Sequence, residues 1–169
     1  VQPQPAPAAP PQLKPVPVPV SREAKDIQVE TDNYIAVFTN QGARLKSFKF
    51  KKYRKSVEAN SPPFDIVDSA PGVPLPLGIR WQIPTPFDDE ELLYSVEGSE
   101  LKLTGDAKRN LVFSGRTANG TVITKSFTFS GSTYPVQLEV SLAPGDGSAP
   151  VPELMLTARS DHTAQNPDA

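Results

Sequence analysis

The densest charge in the sequence is Arg44-Leu-Lys46-Ser-Phe48-Lys49-Phe50-Lys51-Lys52-Tyr53-Arg54-Lys55, seven basic residues in twelve with no acid among them. Cations interleaved with aromatic rings can meet phosphates, on a lipid headgroup surface or on nucleic acid. The same pattern also suits a β-strand. Phe48 and Phe50 share one face, flanked by Lys46 and Lys52, and enter the core while Lys49 and Lys51 stay in water. Lysines also protect open sheet edges from pairing with other chains. The sequence therefore predicts a solvated edge, with Lys46, Lys49, Lys51, Lys52, Arg54 and Lys55 as the candidate surface for an anionic membrane or a partner. Nucleic acid is not an expected partner, because a formal net charge of −2 gives no global attraction to it. Residues 65–106 hold nine acids against Arg80 and Lys102, which predicts a strongly dipolar domain.

The remaining chemistry-bearing residues offer less. Asp88-Asp89-Glu90-Glu91 invites a calcium reading, but a calcium loop interleaves its ligands with a turn glycine, and consecutive carboxylates on a strand point alternately apart. A solvated acidic loop is the expectation. The single histidine, His162, sits beside Asp161 and Thr163 and lacks the companions that a metal site or a catalytic base needs. Ser114-Gly115 and Ser130-Gly131 lack the Gly-x-Ser-x-Gly frame of a nucleophile elbow, and no phosphate-cradling glycine motif is present. Asp65 and Asp68 have no diagnostic spacing. Trp81 with Tyr34, Tyr53, Tyr94 and Tyr134 could line a sugar platform, although a lone tryptophan in a sandwich belongs more often to the core. No catalytic residue, metal ligand or cofactor site emerges, and no enzyme activity is predicted.

These residues must be positioned by strands. Ile27 to Phe50, through Asn40-Gln41-Gly42, and Leu111 to Leu142, through Asn119-Gly120, alternate apolar and polar residues with period two. Such alternation sorts side chains onto two faces of a half-buried antiparallel sheet. Eleven short apolar segments separated by turn residues continue to Leu154–Thr157, without a convincing helical period, and read as a sandwich. Asn119-Gly120 predicts a type I′ hairpin turn with positive φ at both central positions. Seven prolines between Ser61 and Phe87 predict an irregular excursion.

Residues 1–22 form a Pro-rich linker, with eight prolines in the first twenty positions favouring an extended polyproline II tether. Residues 23–160 are read as the β-sandwich and 161–169 as a polar tail or truncated continuation. The absence of cysteine leaves the redox compartment open. The chain starts at Val1 and its only methionine is Met155, so it reads as a processed or excised piece of something longer.

The segment Ile27 to Tyr53 resembles the opening of the periplasmic domain of the bacterial membrane protein insertase YidC family. The shared pattern is a strand ending in Thr31-Asp32, a second strand, the Asn40-Gln-Gly-Ala43 turn, and a third strand ending in Lys52-Tyr53. Gly120-Thr-Val-Ile-Thr-Lys-Ser-Phe-Thr-Phe129 and Tyr134-Pro-Val-Gln-Leu-Glu-Val140 resemble the family's Thr-Lys-x-Phe hairpin and following Tyr-x-Val strand. The resemblance implies an all-β, antiparallel β-supersandwich of the galactose-mutarotase-like type, of which this chain is the N-terminal part. It implies a periplasmic location at the inner membrane, with a membrane helix outside this chain as anchor. It also implies a non-catalytic accessory role in insertion and folding of inner-membrane proteins, with Sec translocon components and membrane-protein substrates as partners. The alternative is a carbohydrate-binding module or sugar-processing enzyme on a related sandwich, which requires exposed aromatics beside convergent carboxylates.

Overall fold

The computed structural model describes residues 23–67, 72–83, 85–145 and 150–155; the Pro-rich linker, His162 and the polar tail lie outside them. Twelve strands are assigned: β1 Asp26–Glu30, β2 Tyr34–Thr39, β3 Arg44–Arg54, β4 Pro63–Asp65, β5 Gly78–Trp81, β6 Phe87–Asp88, β7 Ser95–Val96, β8 Glu100–Lys102, β9 Lys108–Arg116, β10 Val122–Ser130, β11 Gln137–Ala143 and β12 Glu153–Met155. They form a five-stranded sheet in the order β4-β3-β2-β1-β8, a four-stranded sheet β11-β10-β9-β7, and a three-stranded sheet β12-β5-β6. The fold is the all-β sandwich anticipated from the alternation, with no helix among the described residues.

Period-two sorting is cleanest in β10, where Ile123, Lys125, Phe127 and Phe129 are buried and the residues between them are only partly so. In β2 the inward residues are Tyr34, Ala36 and Phe38. Phe38 bridges the two larger sheets, its ring centroid lying 4.8 Å from that of Phe127, 5.9 Å from Phe129 and 6.1 Å from Phe113. Aromatic pairs at such spacings contribute roughly 0.5–1.5 kcal/mol each beyond their buried area, so this cluster helps hold the two sheets together.

Several local expectations are corrected. The β9–β10 connection is not a type I′ turn, because Gly120 has φ of 84° while Asn119 is not in the left-handed region. Gly120 N donates to Thr117 O and Thr117 N to Thr121 O, at 3.0 and 2.9 Å, giving a three-residue loop in which a single left-handed glycine suffices. The sheets are not wholly antiparallel, since β1 runs parallel to β8 in the register Gln28↔Glu100 to Glu30↔Lys102. Nor is β3 an edge strand: it pairs with β2 on one side and β4 on the other, so β4 is the edge. Lys46 also leaves the aromatic row, because a register shift lets Val37 face Ser47 and Phe38 face Leu45, passing over Lys46.

Asn40, a turn residue by sequence, is fully buried and fastens three segments. Its side-chain oxygen accepts from Lys25 N at 2.6 Å, while its amide donates to Glu23 O at 3.0 Å and Tyr94 O at 3.1 Å. A buried amide with this many partners fixes the entry to β1 relative to both flanking sheets.

Candidate functional site

Two arrangements carry the chemistry of this molecule, one inside and one on the surface. The inner one is centred on Asp89, which the sequence places in a solvated acidic loop. Asp88, Glu90 and Glu91 are exposed, whereas Asp89 is 0% exposed. Asp89 follows β6 and its backbone N–H donates to Ile79 O at 3.0 Å, which turns the side chain inward. Oδ1 accepts from Ile79 N at 3.0 Å and from Arg44 Nη2 at 3.2 Å. Oδ2 accepts from the Tyr94 hydroxyl at 2.9 Å and from Lys125 Nζ at 2.6 Å.

Lys125 occupies an inward position of β10 and is 0% exposed. Its three ammonium donors are all used: besides Asp89, it donates to Gly42 O and Leu77 O, each at 2.7 Å. The ammonium also stands 5.2 Å from the centroid of the Tyr94 ring. Burial pulls Lys125 down to about 8, against the opposing effect of Asp89. Burial, and then the Asp89 charge, push the Tyr94 phenol far above its usual range. Arg44 Nη2 also donates to Asp88 Oδ1 at 2.8 Å. Two cations and two carboxylates thus balance, joining β3, β5, β6 and β10 across all three sheets.

Two glycines make room for these side chains. A Cβ on Gly78 would lie 2.7 Å from Arg44 Cζ, and one on Gly115 would lie 2.9 Å from both Leu92 Cδ2 and Tyr94 Cδ1. With every donor on Lys125 and both Asp89 oxygens saturated, no reactive group is left open to a substrate. The network is an internal fastening, in which Asp89 and Lys125 are fully hydrogen-bonded while the buried Arg44 Nε has no partner among the described residues.

On the surface, the predicted basic segment divides in two. Lys46 pairs with Asp26 at 2.7 Å and Lys51 with Glu30 at 2.8 Å, on a face where Lys102 also pairs with Glu100 at 3.0 Å. The Lys51 hydrogen bond and charge hold the Glu30 carboxyl below its ordinary value, and Glu100 raises the Lys102 ammonium. Lys49, Lys52, Arg54 and Lys55 are exposed and form no ion pair among the described residues. Exposed pairs of this kind contribute about 0–1 kcal/mol to stability, so their importance is to mark which cations are already neutralised.

Two of the unpaired cations, Arg54 and Lys55, line an open groove of about 550 Å³ together with Phe50, Tyr53, Phe64 and Tyr134. Half-buried Phe50 is the hub, with ring centroids 5.6 Å from Tyr53, 5.8 Å from Tyr134 and 6.3 Å from Phe64. Tyr53 and Phe64 remain 56% and 42% exposed. Burial, followed by the neighbouring Tyr53, raises the Tyr134 phenol. Behind Phe50, the row continues to Phe48 at 5.4 Å and from Phe48 to buried Tyr34 at 4.3 Å, so the groove floor is anchored in the core.

The sugar-platform residues are dispersed. Trp81 is 2% exposed and stacks on Phe87 at 4.2 Å, and Tyr34 and Tyr94 are buried. Only Tyr53 and Tyr134 reach the surface together, and their neighbours are cations instead of convergent carboxylates. Among the described residues, no group of three or more His, Cys, Asp or Glu could hold a metal ion. The sequence reading passed over Lys125 and wrongly placed Asp89 in a solvated loop. A lysine in the inward phase of an apolar strand signals a buried countercharge, but nothing local says which carboxylate supplies it.

Fold and site together define an all-β sandwich module, locked internally by an ion-pair network and presenting an aromatic, basic surface at one end of its largest sheet. The family model of the YidC periplasmic domain matches residues 26–168, and the chain belongs to that family. It is 33% identical over 127 residues to the membrane protein insertase YidC of Syntrophus aciditrophicus, covering 74% of this chain and 23% of that protein. The YidC insertase of Syntrophobacter fumaroxidans is 39% identical over 108 residues, 60% of this chain and 18% of that protein. That of Geobacter metallireducens is 31% identical over 137 residues, 80% of this chain and 25% of that protein. The chain therefore spans about a quarter or less of the length of these relatives.

Proposed function

We propose that this chain is the N-terminal part of the periplasmic domain of a YidC-type insertase and serves as a non-catalytic binding surface accessory to insertion and folding of inner-membrane proteins. The Pro-rich residues 1–22 act as its tether to a membrane helix outside this chain. Sec translocon components or emerging membrane-protein segments are its partners, and the stretch Lys49 to Lys55 turns the domain toward anionic headgroups. The observation that carries this reading is the family match over residues 26–168. It is supported by the split of the basic segment, which leaves Lys52, Arg54 and Lys55 without ion pairs on one exposed end, with Lys49 unpaired further along β3.

A photocrosslinking residue at Lys52 or Val57 of the full-length insertase, in native membranes, tests the partner assignment. Adducts to translocon subunits or to a stalled nascent chain are expected; adducts to neither reject it. Replacing Lys49, Lys51, Lys52, Arg54 and Lys55 with Gln tests the headgroup orientation, and unchanged binding to anionic liposomes rejects that part. The alternative of a carbohydrate-binding module or sugar-processing enzyme is disfavoured by the burial of Trp81 and the cationic rim of the exposed aromatics.

A further inference from the structure

We infer that the β3–β4 hairpin is an interfacial anchor that inserts Tyr53, Phe64 and the tip residue Val57 into an anionic phospholipid surface, with Lys52, Arg54 and Lys55 on the headgroups. The inference rests on the headgroup orientation proposed above and adds an apolar component that charge alone does not require. Four observations converge on it.

First, the charges are largely sorted: Arg44, Lys46 and Lys51 have acidic partners and Lys49 stands unpaired among them, while three successive unpaired cations, Lys52, Arg54 and Lys55, gather at the far end of β3. Second, that end carries exposed aromatic rings that touch one another around Phe50. Rings with a polar tip next to Lys and Arg match the chemistry of a bilayer interface, where phenols sit at headgroup depth and ammonium groups reach the phosphates. Third, the loop beyond β3 presents Val57 fully exposed, while Lys55 N to Pro62 O at 3.0 Å and Ser56 N to Ser61 Oγ at 2.8 Å hold the loop closed. A fixed, exposed aliphatic tip is unfavourable in water and favourable a few ångströms into an interface. Fourth, Glu58 is the only acid between residues 44 and 64, so the end meets an anionic surface with little opposition. An acidic protein surface would use the cations but would leave the protruding Val57 and the half-exposed rings of Tyr53 and Phe64 without a complement.

The test uses the 169-residue chain and vesicles of phosphatidylcholine, alone or with about one-third phosphatidylglycerol, at low and physiological salt. Binding is expected only to the anionic vesicles. Substituting Gln for Lys52, Arg54 and Lys55 should lower it on the order of 100-fold, from the effect of each cation near such a surface. Tyr53→Ser with Phe64→Ser and Val57→Ser should lower it at least tenfold with all charges intact. Both side chains of that β3–β4 ring pair are substantially exposed, and urea unfolding verifies that the variant folds. As an independent readout, Tyr53→Trp should be quenched by brominated phosphatidylglycerol, while buried Trp81 stays silent. If the charge variant loses binding but the Ser variant does not, and Trp at position 53 is unquenched, the apolar insertion is overturned and the orientation reading stands. If the unmodified chain does not bind anionic vesicles, both fall and the cations are left to an acidic protein partner.

Discussion

Neutralising Asp89 should damage this domain more than removing Lys125, although the two form one ion pair. Each carboxylate oxygen of Asp89 accepts two donors, Ile79 N with Arg44 on one side and Tyr94 with Lys125 on the other. Asparagine can present its oxygen to only one of these sides. In either amide orientation its NH2 faces two donors, and both buried cations lose their shared countercharge. Breaking a buried pair in this way costs about 3–5 kcal/mol. Lys125→Met leaves Asp89 paired with Arg44, Tyr94 and Ile79, preserves the stem packing, and removes one donor from each of the carbonyls of Gly42 and Leu77. Its expected cost is about 1–3 kcal/mol.

Stabilities of single domains are about 5–15 kcal/mol, so Asp89→Asn should remove roughly a fifth or more and the difference between the two variants should be measurable. Urea unfolding followed by fluorescence of Trp81, stacked against Phe87 in the core, reads both. In the double variant the losses should sum to less than the separate values, since the two residues share one contact. An Asp89→Asn cost equal to or below that of Lys125→Met, or both costs below about 1 kcal/mol, would refute the network as the fastening between sheets.

Three further outcomes follow from the same geometry. Lys125 sits at about 8 in the fold against 10.5 unfolded, so between these values the unfolded chain holds a proton that the fold has released and stability should rise with pH. Above pH 10 it should fall, because Tyr34, raised to about 12 by burial, and Tyr94, raised further, keep protons the unfolded chain loses; thermal midpoints from pH 7 to 11 should peak near 10, and Lys125→Met should lose the rise but keep the fall. Tyr34→Phe should be neutral or stabilising by up to about 1 kcal/mol in urea unfolding, because the Tyr34 hydroxyl is buried with no hydrogen-bond partner among the described residues. Gly115→Ala should cost about 1–3 kcal/mol, as its Cβ would press on Tyr94 and Leu92 at 2.9 Å, and a cost below 0.5 kcal/mol would show that the Tyr94 ring moves freely.

Whatever depends on the chain's own pleat was legible in the sequence. Ile123, Phe127 and Phe129 face inward because alternate side chains must, and Phe48 is buried while Lys49 is wet for the same reason. The turn at Gly42 and the hairpin at Gly120 announced themselves through glycine, and both adopt positive φ. The resemblance of residues 27–53 and 120–140 to the YidC periplasmic family was readable too, because strand and turn chemistry recur in order along the chain.

What tertiary structure alone decided is which distant groups meet. Asp88, Asp89, Glu90 and Glu91 are nearly indistinguishable as neighbours, yet only Asp89 is turned inward, by a hydrogen bond to β5, to receive Arg44 from β3 and Lys125 from β10. Seven cations in one segment likewise look alike until β1 arrives two strands away with Asp26 and Glu30 to neutralise Lys46 and Lys51. The register shift that displaces Lys46 and the parallel pairing of β1 with β8 are of the same kind. Alternation is a property of one strand's covalent geometry, so the sequence carries it. Charge pairing depends on the arrangement of sheets, and an ion's value changes with burial and with the countercharge that packing brings within reach.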